Sequence, residues 1–231
     1  MNQLQNSNDP IGSPHPLPWN WAMTTHAQVS STRGFGVKYY RTGNLISPDG
    51  AYAAYSQVEM HVDPKLHRSS LKSNLFVENR RTGEVQRVVP TSPIATSARA
   101  AIDPTQMRGT ISVSVPLSWS RGGDRLLARQ FEGLFCSSEA TDYAVVWDGK
   151  RNRSTTLAPN RLDGGCAVLL GWSQAHRDRV LFRLGGLGFR EWSVCAVDLT
   201  GMTVTANEDR PLLFGNSLSA MLESTQVAPS F

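Results

Sequence analysis

The sequence predicts an all-β fold built from three four-stranded antiparallel meanders. Six tryptophans and other aromatic and β-branched residues stand among turn formers, and glycine alone accounts for 19 of the 231 residues; this mixture is typical of short strands joined by tight turns. Three segments also repeat one order of turn, apolar strand, second strand and glycine turn. With 40% apolar and 18% charged residues, the chain can bury a core, which excludes disorder, coiled coil and collagen.

The first predicted unit covers residues 35–89 and is organised around the turn Ser47-Pro48-Asp49-Gly50. Proline, aspartate and glycine at these positions favour a tight turn between strands. The polar stretch 61–73 is expected to be a loop inserted between the two central strands, because loops accept insertions at little cost. The four strands of this unit are predicted at 35–40, 51–56, 74–79 and 84–89.

The second and third units, at about 110–157 and 166–206, repeat this order. An ordinary β-sandwich would also give about a dozen strands with regular punctuation, but recurrence of the same order three times favours true repetition. Their strands are predicted at 111–115, 125–130, 143–147 and 154–157, and at 167–171, 179–184, 192–198 and 202–205. The residues that define the repeat are Ser47, Pro48, Asp49, Gly50, Trp119, Ser120, Trp147, Asp148, Trp172, Ser173 and Asp198.

These repeat-defining residues resemble the repeats of TolB-type, WD40-like β-propeller proteins over about residues 35–206. In that family a Trp-Ser-Pro-Asp-Gly turn precedes one blade strand; here only the first copy keeps Ser-Pro-Asp-Gly, and the other two keep Trp-Ser. The resemblance implies that the three meanders are blade-like and form a partial or degenerate β-propeller over residues 33–206. It also implies a role as a protein-docking platform or as the cap of a peptidase, since one fold serves several activities.

The two ends of the chain differ from the repeats in composition. Residues 1–32 are predicted to be a proline-rich N-terminal arm, in which Trp19 and Trp21 are candidate anchors for a protein partner because tryptophan is frequent at binding hot spots. Residues 207–231 are predicted to be a tail with a possible short helix over 218–223. The termini could alternatively supply a fourth, degenerate blade.

Charge adds a second set of candidate binding residues. The net charge is +4, and among 23 basic residues only Lys38, Lys65, Lys72 and Lys150 are lysine. Arginine pairs in a bidentate manner with carboxylates and phosphates, so turn arginines are expected to contact a protein partner through its acidic groups. An RNA or other polyanion is the less favoured ligand, because no long basic tract is present. The candidate residues are Arg80, Arg81, Arg151 and Arg153.

The chain carries no complete catalytic or metal motif. Gly215 to Ser219 is nearest to a hydrolase nucleophile elbow, but it ends in serine instead of glycine and no histidine follows. Cys166 with His176 is better explained by a small buried thiol at the start of a core strand. His61, Asp63 and His67 lie in a polar loop and are better explained as solvent-exposed residues than as the three or four convergent ligands of a zinc site. Gly185 to Gly188 lacks the ending of a phosphate-binding loop, which makes a hairpin tip the better interpretation. We therefore predict no catalytic residues, no metal and no cofactor.

The compartment is expected to be the cytoplasm. The first thirty residues lack the apolar run of a signal peptide, and no apolar stretch approaches the ~20 residues of a bilayer-spanning helix. Cys136, Cys166 and Cys195 are odd in number and lack metal-binding spacing, which suits free thiols in a reducing compartment.

Three blades are too few to close a propeller, which needs about four to eight. The outer face of a terminal sheet would then carry large apolar residues such as Phe76, Trp147 or Trp192, which another surface should cover. The sequence therefore predicts a non-enzymatic docking or assembly subunit with a protein partner or as a homo-oligomer. The alternatives are a hydrolase or lyase acting from a propeller-like cleft, with His61, His67, His176 and the turn aspartates as candidates, and a polyanion binder.

Overall fold

The computed structural model of the protein describes residues 9–101, 103–160, 165–186 and 192–217. They form two sheets and two α-helices, so the prediction of a mainly β protein is confirmed in its coarse form. The helices are α1 (Trp19–Thr32) and α2 (Pro93–Ala100). The strands are β1 (Gly36–Arg41), β2 (Leu45–Ile46), β3 (Tyr52–Val62), β4 (Ser70–Asn79), β5 (Val85–Val88), β6 (Thr110–Trp119), β7 (Arg125–Leu134), β8 (Ala140–Asp148), β9 (Arg153–Leu157), β10 (Cys166–Ser173), β11 (Arg179–Gly185), β12 (Ser193–Asp198), β13 (Thr203–Thr205), β14 (Pro211–Leu212) and β15 (Asn216–Ser217).

The strands follow the predicted order but form two sheets. The larger sheet runs β15-β2-β3-β4-β6-β7-β8-β9, with β1 beside β3 and β5 beside β4; the smaller runs β13-β12-β11-β10-β14. Consecutive antiparallel strands form a first meander (β1 to β5), a second (β6 to β9) and a third (β10 to β13). Over the described ranges neither sheet is closed or propeller-like, so the arrangement as blades is not confirmed.

The first two meanders share a sheet because their central strands are longer than predicted. The expected loop at 61–73 is shorter than predicted, because β3 runs to Val62 and β4 begins at Ser70, which leaves only residues 63–69 between them. Buried and partly exposed residues alternate along β3, which gives the chain a period of two and keeps it extended. The added residues of β4 meet β6 in a short parallel ladder, Leu71 opposite Ile111 and Lys72 opposite Ser112.

The three meanders pack face to face, with the second in the middle. Leu126 and Ala128 on one face of β7 belong to a core shared with the first meander. Leu127, on the other face, belongs to a core shared with the third, where it lies among residues such as Leu169 and Phe182. Among the strands that the structure describes, only the middle meander therefore has both faces covered by other strands, and each outer meander has one face directed away from the stack.

The N-terminal segment does not behave as an arm over its described part, residues 9–32. Helix α1 packs on β3, and Ala22, Thr25 and Val29 are buried on one of its sides at helical spacing. Leu17 belongs to the same core as Met60 of β3. Proline-rich composition indicated an extended segment, but burial of this apolar side stabilises the helix although no side chain caps its N-terminus.

The three aligned serines make equivalent hydrogen bonds. In the first two meanders the serine hydroxyl donates to the aspartate of its own turn, Ser47 to Asp49 at 2.6 Å and Ser120 to Asp124 at 2.8 Å. In the third turn the aspartate, Asp178, pairs with Arg125 at 2.8 Å instead, and Ser173 donates to Asp209, which follows the last meander. Partial burial raises the pKa of Asp209, but hydrogen bonds from Ser173 and from three backbone amides outweigh it and lower the pKa below its usual value.

Residues 209–217, here called the strap, cross all three meanders beside these serines. Leu212 pairs with Trp172 of the third meander, and the Phe214 carbonyl accepts from the Trp119 amide of the second at 2.8 Å. Asn216 pairs with Ile46 of the first. The described part of the predicted tail is thus a structural element, whereas its possible helix at 218–223 lies outside the described residues.

Replacing Asp209 with alanine is expected to lower the free energy of unfolding by about 1–2 kcal/mol, because Ser173 and three amides lose a charged acceptor. Denaturant unfolding of the whole chain measures this. The neighbouring change Glu208→Ala, at an exposed residue, is the matched control and should stay within about 0.5 kcal/mol of the wild type. Equal effects of the two changes would contradict the role assigned to Asp209.

Candidate docking surface

The outer face of the first meander is not covered by any strand within the described ranges. Cross-strand neighbours on it form rows across β1, β3 and β4, because residues opposite one another in a sheet share a face. Tyr39 lies beside Glu59, which lies beside Lys72. We define this outer face by Val37, Tyr39, Arg41, Tyr55, Gln57, Glu59, His61, Lys72, Asn74, Phe76 and Arg87.

Apolar side chains are exposed on this face and next to it. Tyr39 is 66% exposed and Val37 41%, and Phe35, which precedes β1, is 65% exposed. Tyr55 and Phe76 stack at 5.4 Å between ring centroids. Exposure of so many large apolar groups within one region is typical of an interaction site.

Three of the four Arg, Lys, Asp and Glu residues of the outer face are cations: Arg41, Lys72 and Arg87. The guanidinium of Arg41 lies 3.9 Å from the centroid of the Tyr55 ring, a cation–π contact. Glu59 is paired with Lys72 at 3.2 Å and also contacts His61, so its charge is already compensated. The face therefore presents aromatic surface together with positive charge.

The whole net charge of the chain is concentrated in the first meander and its flanks. Residues 33–89 hold nine of the 23 basic and five of the 19 acidic residues, and the remaining residues balance. The nine are Arg33, Lys38, Arg41, Lys65, Arg68, Lys72, Arg80, Arg81 and Arg87. The excess equals the net charge of +4, which favours a partner with acidic groups.

β1 also offers an open backbone edge. Among the described residues it pairs only with β3. The Thr42 amide donates to the Ser56 carbonyl at 2.9 Å, which marks this as a hydrogen-bonded pair. Because such pairs alternate along an antiparallel ladder, Lys38 and Tyr40 bond to β3, and the backbone groups of Val37 and Tyr39 point to the open side.

The predicted anchors Trp19 and Trp21 pack on their own domain. Trp19 stacks on Phe135 at 5.9 Å, and Trp21 lies against Tyr40 at 5.4 Å, both half-buried. A partner would have to displace these contacts to reach either ring. Their predicted partner-binding role is not tested, but Trp21 supports β1 from its inner side.

The four predicted arginines are exposed, at or next to turns. None of them belongs to the outer face as defined. Arg80 donates to the Gly50 carbonyl at 3.1 Å, and Arg151 pairs with Asp148 at 3.3 Å. Arg153 is exposed at the start of β9. Arg81 lines a cleft of about 430 Å³ between the turns of the first two meanders.

This cleft holds two carboxylates, Asp49 and Asp124, which bear on the alternative hypothesis of an enzyme. The hydrogen bond from Ser47 lowers the pKa of Asp49. Lys150, at 2.8 Å, lowers the pKa of Asp124, which also accepts from Ser120. Both groups are ionised and engaged in turn structure, so neither is suited to donate a proton near neutral pH.

The other repeat-defining residues have structural roles. Trp119 and Trp147 are buried and meet edge to face at 6.2 Å, and Trp172 belongs to the core between the second and third meanders. Asp148 and Asp198 each accept backbone amides of the following hairpin turn. Gly50 has φ +71°, a conformation that favours glycine, and follows Pro48 in the first turn.

A buried charged cluster joins the N-terminal segment to the second meander. Arg129 is fully buried and binds Asp9 at 2.6 Å and Asp142 at 2.8 Å. Burial raises the pKa of Asp142 to about 6. His15 lies beside this cluster, and its Nε2 donates to the Leu170 carbonyl at 2.9 Å. Burial lowers the pKa of His15.

Each carboxylate of this cluster already has a structural role. Asp9 accepts the amides of Ile11, Ser13 and Leu17, which shapes the N-terminal segment. Asp142 accepts the amide of Leu169 in the third meander at 2.9 Å. The cluster therefore holds the layers together, and sequence patterns gave no sign of it because the directly paired Asp9 and Arg129 are 120 positions apart.

The remaining candidates for chemistry are dispersed. His67 is exposed, and His176 lines a separate cleft of about 680 Å³ near the strap. Burial raises the pKa of Cys166, and that of Cys195 to about 11, so neither is a ready thiolate. No group of three His, Cys, Asp or Glu side chains within the described ranges is arranged to hold a metal ion. Gly188 and Ser219 lie outside the described residues.

Comparisons with known proteins do not assign a function, so a functional conclusion has to rest on the geometry of the structure. No family model matches the chain, and no curated protein matches it either. In the part of the chain that the structure describes, no helix is long and apolar enough to cross a membrane.

Proposed function

We propose that this protein is a non-enzymatic docking or assembly subunit that binds a protein partner through the outer face of its first meander. The observation that carries the proposal is the joint exposure of Phe35, Val37 and Tyr39 on and beside the outer face. The acid of this face, Glu59, is paired with Lys72, so Arg41 and Arg87 leave the face with positive charge. Large apolar groups in water cost about 25 cal/mol per Å² relative to burial, so a partner that covers them gains affinity.

The proposal includes the architecture that the repeats resemble. Three meanders that pack face to face, each with its serine turn, support three blade-like units of a partial or degenerate propeller of TolB or WD40 type. A stack of meanders that does not close leaves a terminal face on which another protein surface can bind. The outer face of the first meander is such a terminal face. Free thiols at Cys136, Cys166 and Cys195 support a reducing compartment, and we place the protein in the cytoplasm.

The test is capture of a partner by surface variants. The double change Val37→Asp with Tyr39→Asp places acid on the outer face, and we expect it to abolish stoichiometric retention of a partner from native extract. Met202→Asp is the matched control, because Met202 is also exposed but lies in the third meander. It should retain the same partner as the wild type.

Analytical ultracentrifugation of the purified chain completes this test. Self-association that the double change abolishes would identify the partner as a second copy. Equal retention by both variants, or a wild-type chain that is monomeric and retains no protein, would overturn the proposed function. Retention lost in moderate salt together with bound RNA would favour the polyanion hypothesis.

A further inference from the structure

We infer that the partner supplies an extended acidic segment, which adds as a strand to the open edge of β1. This inference rests on the proposed function and deepens it, because it specifies the chemistry of the partner and the atoms that bind it. Strand addition uses backbone hydrogen bonds for affinity and alternate side chains for specificity.

The backbone of β1 is arranged for this addition. The hydrogen-bonding alternation fixed by Thr42 and Ser56 leaves the N–H and C=O groups of Val37, Tyr39 and Arg41 directed to the open side. An unpaired edge of this kind pairs readily with another chain. These same three residues place their side chains on the outer face, so an added strand would extend that face.

The charge of β1 determines which strand fits. Its sequence, Gly-Val-Lys-Tyr-Tyr-Arg, contains two cations and no acid. An added strand with an acidic residue beside Lys38 on one face and apolar residues beside Val37 and Tyr39 on the outer face would match both charge and apolar surface, since opposite charges across strands stabilise a sheet.

A second copy of this chain fits poorly. Antiparallel pairing of β1 with itself keeps each residue on its own face, so the β1 residues that could lie opposite Lys38 are Gly36, Lys38 and Tyr40 of the other copy, and none of them is acidic. The surrounding residues 33–89 carry the whole net charge of +4, which would add repulsion between two copies. Self-association through β1 is therefore disfavoured by the same charges that favour an acidic segment.

The experiment uses the full chain and a capped peptide in which glutamate and valine alternate as the probe. We expect binding that weakens with salt, and slowed hydrogen exchange at the amides of Val37, Tyr39 and Arg41 in two-dimensional NMR spectra. A peptide in which lysine replaces glutamate is the charge control and should not protect these amides.

Substitutions at Val37 separate the backbone from the side chain. Val37→Pro removes an amide that β3 does not use, a change that an edge strand tolerates, and should weaken peptide binding by about tenfold or more. Val37→Thr keeps the amide and a similar shape and should remain within about twofold of the wild type. Thermal unfolding measures whether both variants are folded. If Val37→Pro is unfolded, the protection of the three amides in the wild type with the acidic peptide tests strand addition instead.

Three results would overturn the inference: no binding of the acidic peptide, equal binding of the basic one, or binding that leaves the three amides unprotected. If a native partner is lost on Val37→Asp with Tyr39→Asp but not on Val37→Pro, the outer face binds a partner without strand addition. In that case the proposed function stands and this inference fails.

Discussion

Replacing Arg129 with methionine is expected to lower the free energy of unfolding by about 3–5 kcal/mol, the range for removal of one partner from a buried ion pair. The change leaves two carboxylates, Asp9 and Asp142, without their cation in a fully buried site. Burial alone lowers the pKa of Arg129, yet the two carboxylates outweigh it and raise that pKa, so the wild-type side chain is charged. Urea unfolding at neutral pH measures the loss.

A double-mutant cycle distinguishes this charge effect from loss of packing. Asp142→Asn removes one of the two carboxylate charges that Arg129→Met leaves unpaired. The double variant should therefore lose less free energy of unfolding than the sum of the losses in the two single variants. Arg87→Met, at an exposed arginine, is the matched control and should stay within about 0.5 kcal/mol of the wild type. A loss below about 1 kcal/mol for Arg129→Met would contradict the stated role of the cluster.

Replacing Trp119 with alanine is expected to destabilise the chain by about 3–5 kcal/mol, because a large buried side chain leaves a cavity. Trp119 is completely buried, stacks on Tyr52 at 5.9 Å and donates through Nε1 to the Leu45 carbonyl at 3.0 Å. It thus joins the first meander to the second. Thermal unfolding and hydrogen exchange together measure the effect.

The location of the lost protection is the sharper part of this prediction. Amides of the strap at Phe214 and Asn216 should exchange faster in Trp119→Ala, because Gly215 packs against the indole ring. Trp119→Phe keeps most of the volume and removes the hydrogen bond to Leu45, so its loss should be about 1–3 kcal/mol. Equal stability of Trp119→Ala and Trp119→Phe would show that the cavity is unimportant.

Local sequence patterns predicted the local part of the fold. The turns at Ser47, Ser120 and Ser173 form as expected, because their residue types act within a few positions. The parallel ladder between β4 and β6 could not be predicted, since it depends on how two distant strand ends meet. Nor could the Ser173 contact with Asp209, in which a residue 36 positions away replaces the acid of the local turn.

The candidate site was predictable only in part for the same reason. The sequence predicts a strand at 35–40, but which of its faces meets the core depends on its register with β3. The arginines were chosen because they lie in turns, and turns are exposed whether or not they bind anything. Trp19 and Trp21 were chosen by residue type, and their contacts with Phe135 and Tyr40 depend on a helix that the neighbouring prolines concealed.

The position of the strap in the chain has a consequence for biosynthesis. A ribosome makes the three meanders before it makes residues 209–217, so a nascent chain that has only reached residue 206 lacks both the acceptor for Ser173 and the strands beside Trp172 and Ile46. The native arrangement can be completed only after these residues have left the exit tunnel.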